Sequence, residues 1–233
     1  MSTRDADPAP RSRRERPAKA ALTREGIIEV ALAILERDGL SKVTMRRIAA
    51  ELDTGAASLY VYVRNTEDLH AQILDALLGG MAPVPTGGSW RERLHRLLAE
   101  YGTVLVAHPQ IARLTMTTHP VGANYFRLVE TILGLLGEGG VPDRSAAWGV
   151  DLLLASVTAT AVEHGGAADS EGTDALSLLA ANIAITPGGA YPRIVALGDE
   201  MLSGTGIERF AWGIDVLLNG LLDTPRSATG ERS

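Results

Sequence analysis

The chain of 233 residues carries few chemically active residues in a productive spacing. It has no cysteine, which excludes disulfides, thiolate nucleophiles and cysteine-ligated zinc. Its five histidines stand at 70, 95, 108, 119 and 164, and none forms a His-Glu-x-x-His pair or another short metal-ligand spacing. Glu163 and His164 are adjacent, but adjacent residues of a helix do not face each other. There is no Gly-x-Ser-x-Gly elbow. "GEGG" at 137–140 follows a helical run, where a helix end explains it better than a phosphate loop. These absences count against catalysis, and no cofactor is expected. Arg46 stands out instead, because its planar fork matches the O6/N7 edge of guanine; the alternative is an ordinary surface arginine. Ala56, Ala57 and Ser58 are small enough to let the backbone approach a phosphate or a base edge. The two alanines offer only apolar contact, for example with a thymine methyl.

These residues lie in and beside "TGAASLYVYVRNTEDL" (54–69), whose centre looks like a strand. Its surroundings read as helix. A first helix is expected from Thr23, a residue that caps first-turn N–H groups, with Leu22 and Ile27 placed for a hydrophobic staple. Ile27, Val30, Ala31, Ile34 and Leu35 share one face, and Gly39 suits the end. A second helix is expected from Thr44 to Leu52, a turn at Asp53-Thr54-Gly55, and a third helix ending near Val63. Asn65 can cap a fourth, with Glu67 and Asp68 in its first turn. Two short helices joined by such a turn make a helix-turn-helix. At helical spacing Leu59 and Val63 fall on the packed side and Tyr60 falls elsewhere, so tertiary packing overrides the local preference for strand.

Hydrophobic residues make up 45% of the chain and aromatics only 4%, so the core must be aliphatic and helical. Residues 1–70 hold 12 of the 22 Lys+Arg and 11 of the 28 Asp+Glu; the remainder hold 10 and 17. The first part is therefore +1 and the second −7, the direction expected if the first meets a polyanion. Residues 1–21, with "PAPRSRRERPAKAA", read as a disordered arm, either touching DNA phosphates or simply solvated. No uninterrupted apolar run approaches the ~18 residues of a membrane span, and the start does not fit a secretory signal. The expected location is the cytoplasm, with no membrane partner.

Beyond residue 71, apolar helical segments are expected near 69–80, 90–107, 121–138, 146–164, 174–185 and 207–222, separated by Gly/Pro breaks. Ile207, Phe210, Ala211, Ile214, Leu217, Leu218 and Leu221 make one stripe, widened by Trp212 and Val216. Residues 152–162 carry no charge, which predicts burial on all sides. Both segments are candidates for a helix–helix dimer interface, or for the interior of the monomer. The fold class is all-α: a helix-turn-helix at 22–68 after the arm, a larger helical domain for ligand binding and dimerisation at 69–225, and a tail at 226–233.

"LTREGIIEVALAILERDGLSKVTMRRIAAEL" followed by "SLYVYVRNTEDL" closely resembles the DNA-binding domain of the tetracycline-repressor (TetR) family. "RFAWGIDVLLNGL" near the end is similar to that family's regulatory domain. The resemblance implies a homodimeric transcription regulator, usually a repressor released by a small molecule. It implies that Thr44 caps the second helix and faces phosphate, and that Met45 and Arg46 approach DNA. Ala56, Ala57 and Ser58 fall at the start of the recognition helix. Tyr60 takes the place of a phosphate-contacting tyrosine, and Tyr62 a groove-facing position. Two residues depart from the pattern. Asp53 stands where a turn glycine is common, and Thr66 where a lysine commonly contacts phosphate; Arg64 is placed to supply that charge.

His108, His119, Tyr125, Trp148 and His164 are candidate lining residues of an effector cavity, or ordinary core and surface residues. The scarcity of aromatics suggests a hydrophobic effector. The partners expected are double-stranded DNA with an inverted repeat, the effector, and a second copy of the chain. A small helical carrier or enzyme, or a partner-binding module, are the rival readings.

Overall fold

The computed structural model describes residues 21–116, 120–165 and 172–224. Eleven α-helices and no strand occur among them. Helix α1 (Arg24–Asp38) begins at Thr23, whose Oγ1 accepts the N–H of Gly26 at 3.0 Å. Ile27, Ile28, Ala31, Ile34 and Leu35 form its buried stripe. The helix stops at Gly39, whose φ of 80° is strained for a residue with a Cβ. A short 3-10 turn leads to Thr44, whose Oγ1 accepts the N–H of Arg47 and caps α2 (Met45–Glu51). Asp53 follows at φ 47°, the one non-glycine residue with positive φ among those described.

Helix α3 (Ala56–Leu59) is shorter than the sequence predicts. Residues 60–62 continue in tight turns, with the N–H groups of Tyr62 and Val63 both reaching the Leu59 carbonyl. β-Branched and aromatic residues at 60–63 lose side-chain freedom in a helix, which favours the early stop. Leu59 and Val63 are fully buried. Helix α4 (Thr66–Gly79) is capped by Asn65, whose Oδ1 accepts the N–H of Asp68 at 2.8 Å.

The body comprises α5 (Trp90–Ala107), α6 (Pro109–Thr115), α7 (Ala123–Glu138), α8 (Asp143–Gly165), α9 (Gly172–Ala184), α10 (Pro192–Leu202) and α11 (Gly206–Asp223). Helices α6 and α10 are absent from the sequence expectation. Each starts with proline, which reads as a break but is well suited to the first helical position. Capping boxes Ser89/Glu92 and Thr205/Glu208 open α5 and α11.

Helix α8 packs chiefly on α5, and also on α6, α7 and α11. Thr158 donates to the Leu154 carbonyl, which leaves its oxygen to accept from the Tyr101 hydroxyl at 3.0 Å. Burial pushes the Tyr101 phenol up to about 12. One continuous aliphatic core runs from α1 through α4 into the body.

Composition predicts burial on all sides for 152–162; the structure buries one. Leu153, Leu154, Val157 and Ala161 point inward, while Leu152, Ala155 and Ala159 are exposed below Trp148. By length and composition α8 could also span a membrane. Its packing at the centre of the helical body accounts for that composition equally well. The α11 stripe is likewise divided. Ile214 and Leu218 are buried, Phe210, Ala211, Leu217 and Leu221 are half-buried, and Ile207, Trp212 and Val216 are exposed.

Helix α4 is fastened to the body by a carboxylate. Oδ1 of Asp75 accepts the N–H groups of Asn124 and Tyr125 at 3.0 and 2.8 Å, the first turn of α7. The Asn124 side chain donates back to the Asp75 carbonyl at 2.9 Å. Gly122 must stay small here, because a Cβ would land on the Asp75 carboxyl; its extended backbone would otherwise accept any residue.

Candidate nucleic-acid interface

The outward side of α2 and α3 is built by default from what the core leaves out. Ile48, Ala49 and Leu59 turn inward and are buried. Thr44, Arg46, Ala57, Ser58 and Tyr60 are then exposed, Tyr60 to 54%. Ala56 is half-buried. Arg46 forms no hydrogen bond or ion pair with another described residue, so its fork is unengaged. Thr66 is exposed in the first turn of α4. Arg64 is 82% exposed and only loosely paired with Asp68 at 3.6 Å.

Two expected contact residues are placed otherwise. Met45 is only 8% exposed and belongs to the core, because it falls on the same side of α2 as Ile48 and Ala49. Tyr62 is half-buried, and its hydroxyl donates to the Leu22 carbonyl at 2.8 Å. Its ring packs on the core and its polar end is satisfied within the protein. Val61, with 79% exposure, is the residue presented outward at that turn.

An ionic lattice beside this surface was not read from the sequence. Arg37 meets Glu51 at 2.6 Å and Asp38 at 2.9 Å, and Arg47 meets Glu51 at 3.1 Å and Asp38 at 3.4 Å. Arg37 holds the Asp38 and Glu51 carboxyls below their ordinary range. The Arg47–Glu51 spacing of i,i+4 was the available signal; the link to α1 needed the fold.

The candidate effector residues are not gathered into one cavity. His119 lies outside the described residues. Trp148 is 62% exposed on the outer side of α8. Tyr125 is half-buried beside the Asp75 fastening, and burial raises its phenol. His108 stands at the α5–α6 corner, where burial lowers its imidazole. His164 alone of these lines a cleft of about 370 Å³ between α8 and α11, together with Thr160, Glu163, Arg209 and Phe210. Its Nδ1 lies 2.8 Å from the Thr160 carbonyl. Arg209 is committed to the end of α10, donating to the carbonyls of Met201 and Ser203. A second tie, unforeseen in the sequence, joins α5 to α11: Arg91 and His95 both reach Asp215, at 2.9 and 3.0 Å. His95 foremost, with Arg91, holds that carboxyl below its ordinary range.

A small helix-turn-helix head with an exposed reading side, joined by one helix to a larger all-helical body, defines a one-component DNA-binding regulator. The comparisons agree. Residues 27–73 match the bacterial regulatory proteins of the tetR family, and residues 82–224 match the tetracyclin repressor-like C-terminal domain. The chain belongs to the tetR family of transcriptional regulators. A curated HTH-type transcriptional regulator of Saccharopolyspora erythraea is 34% identical over 131 residues, which is 56% of this chain and 56% of that relative. The HTH-type transcriptional repressor DrrR1 of Streptomyces coeruleorubidus is 27% identical over 220 residues, covering 90% of this chain and 80% of the relative. Among solved structures, a transcription regulator of Streptomyces coelicolor is 43% identical with a TM-score of 0.76, covering 91% of this chain and 100% of that one. ActR of Streptomyces coelicolor, in complex with actinorhodin, is 32% identical with a TM-score of 0.77, over 92% and 100%.

Proposed function

We propose that the chain is a cytoplasmic repressor that binds an inverted-repeat operator as a homodimer and is released by a mostly apolar small molecule. The observation that carries the reading is the unengaged Arg46 beside the exposed Ala57, Ser58 and Tyr60 on the outward side of the helix-turn-helix. In this reading Arg46 reads a guanine edge, while Thr44, Tyr60 and Arg64 contact phosphate. Ala56, Ala57 and Ser58 permit close approach, and Val61 takes the place expected of Tyr62.

The homodimer is supported by the outer side of α8, where Trp148, Leu152, Ala155 and Ala159 lie at helical spacing, and by Trp212 and Val216 on α11. A stripe of this kind in water is an interaction surface, and a two-fold pairing covers it with its own copy. Release is supported by ActR, a similar protein solved with actinorhodin, and repression by the name of DrrR1. The cleft at His164 offers room beside polar and aromatic groups.

The test is selection of bound duplexes from a random pool by the full chain, followed by sedimentation of the complex. Recovery of an inverted repeat, bound by an even number of chains, is the expected result. Recovery of no preferred sequence would overturn the reading.

A further inference from the structure

The reading element has little with which to hydrogen-bond a base. Ala56 and Ala57 carry no polar side-chain atom, and the Ser58 hydroxyl can donate or accept, so it fits any base edge and selects none. Thr44, Tyr60 and Arg64 are assigned to phosphate above. Arg46 on α2 reads a guanine, and the remaining preference needs another source. Val61 is what the turn offers. Among the described residues of the head, Tyr60 and Val61 are the large apolar side chains left exposed, Val61 to 79%.

The backbone puts Val61 there. The N–H groups of Tyr62 and Val63 reach the Leu59 carbonyl at 2.9 and 3.0 Å, so the chain keeps coiling past the end of α3. Tyr60 is itself helical, with φ −67° and ψ −11°. Residues four apart on such a coil are neighbours on one face. Leu59 and Val63 are one such pair, and both are fully buried. Ala57 and Val61 are another, and both are exposed. Tyr62 does not replace Val61 outward, because its hydroxyl donates to the Leu22 carbonyl at 2.8 Å. In the major groove the apolar group on a base edge is the C5 methyl of thymine. A valine and an alanine carried to that groove gain by covering a methyl, whereas the other base edges would lose water to them without a hydrogen bond in return.

We propose that Val61, with Ala57 one turn before it, is a specificity-determining residue that selects thymine through its methyl group, beside the guanine read by Arg46. The proposal rests on the DNA-binding reading above. Each half-site then holds a guanine recognised by hydrogen bonds and a thymine recognised by apolar contact.

The test compares the selected duplex with the same duplex carrying deoxyuridine in place of every thymine of the half-sites, at one salt concentration. The exchange removes the methyl and leaves the hydrogen-bonding edge intact. The full chain should bind the uracil duplex about fourfold more weakly for each methyl covered, hence about 15-fold for one per half-site. Val61→Ala in the full chain should weaken binding to the thymine duplex several-fold. It should leave the uracil duplex bound as the wild type binds it, because both changes remove the same contact. Equal wild-type affinity for the two duplexes would overturn the proposal, and that arm needs no variant. Selected half-sites without thymine would overturn it as well. If uracil weakens binding but Val61→Ala acts alike on both duplexes, the methyl works through the stiffness of the duplex and not through Val61, and the proposal falls. If the chain selects no sequence at all, the DNA-binding reading fails first, a different result from a selected site that ignores the methyl.

Discussion

Replacing Asp75 with Ala should cost the fold about 2 kcal/mol. The carboxylate performs two tasks at the start of α7. Its Oδ1 accepts two first-turn N–H groups, at 3.0 and 2.8 Å, which is the service of an N-cap residue delivered from another helix. Loss of such a cap costs about 0.5–2 kcal/mol. Its negative charge at the positive end of a helix adds about 0.3–1 kcal/mol. Asp75→Asn keeps an acceptor oxygen and loses only the charge, so it should cost less than about 1 kcal/mol. Gly122→Ala should resemble Asp75→Ala, because the new Cβ would displace the carboxyl. Urea denaturation of the full chain at one protein concentration measures all three, with the slope checked for constancy. A change within about 0.5 kcal/mol for Asp75→Ala, or equal costs for Ala and Asn, would refute the two-part assignment. The same fastening holds α4, the helix that joins head to body. A loosened α4 should narrow the difference in DNA affinity with and without effector, by the same factor in both directions of the linkage.

Arg46→Ala should weaken specific binding by about 1–3 kcal/mol and relax preference at one base pair per half-site, read by repeating the duplex selection. Tyr60→Phe should weaken all sequences alike; identical sequence profiles for wild type and Arg46→Ala would remove Arg46 as the reader. Leu152→Glu should yield a folded monomer by sedimentation, since Leu152 is exposed on the single chain. Leu218→Glu should instead lower the melting temperature sharply, because Leu218 is fully buried and an unpaired carboxylate there costs several kcal/mol. Burial lowers the imidazoles of both His70 and His108 from the ordinary 6.5. The unfolded chain then binds protons more readily than the folded one, so stability is full above about pH 6.5 and falls as pH drops through the lowered folded values. Denaturation across that window should be flatter in His70→Gln and His108→Gln, and an unchanged pH profile would refute the burial effect.

The legible parts of this chain were those decided within a few residues. Thr23, Thr44 and Asn65 cap the helices that follow them, because a capping side chain reaches only two or three positions ahead. Leu59 and Val63 could be assigned to the packed side from their spacing alone, although the strand-like run between them shortened α3. The illegible parts were those decided by distant partners. Tyr62 looked free to face a groove until the fold brought Leu22 to its hydroxyl, and Met45 until α2 was oriented by Ile48 and Ala49.

The effector candidates failed to gather for a related reason. Rarity marks a residue as noticeable, but a cavity is made where helices diverge, and that depends on pairings such as α8 with α5 and α11. Trp148 and Tyr125 are noticeable as scarce aromatics; one is exposed on an outer face and the other lies beside the α4 fastening. Composition misjudged one long-range property in the same way. The uncharged stretch at 152–162 implies burial on all sides, yet one chain covers a single side of it. Half of α8 is therefore left outward, carrying Leu152, Ala155 and Ala159. That the stretch is apolar was legible in the sequence, but which half of the helix faces outward was settled only by packing against α5.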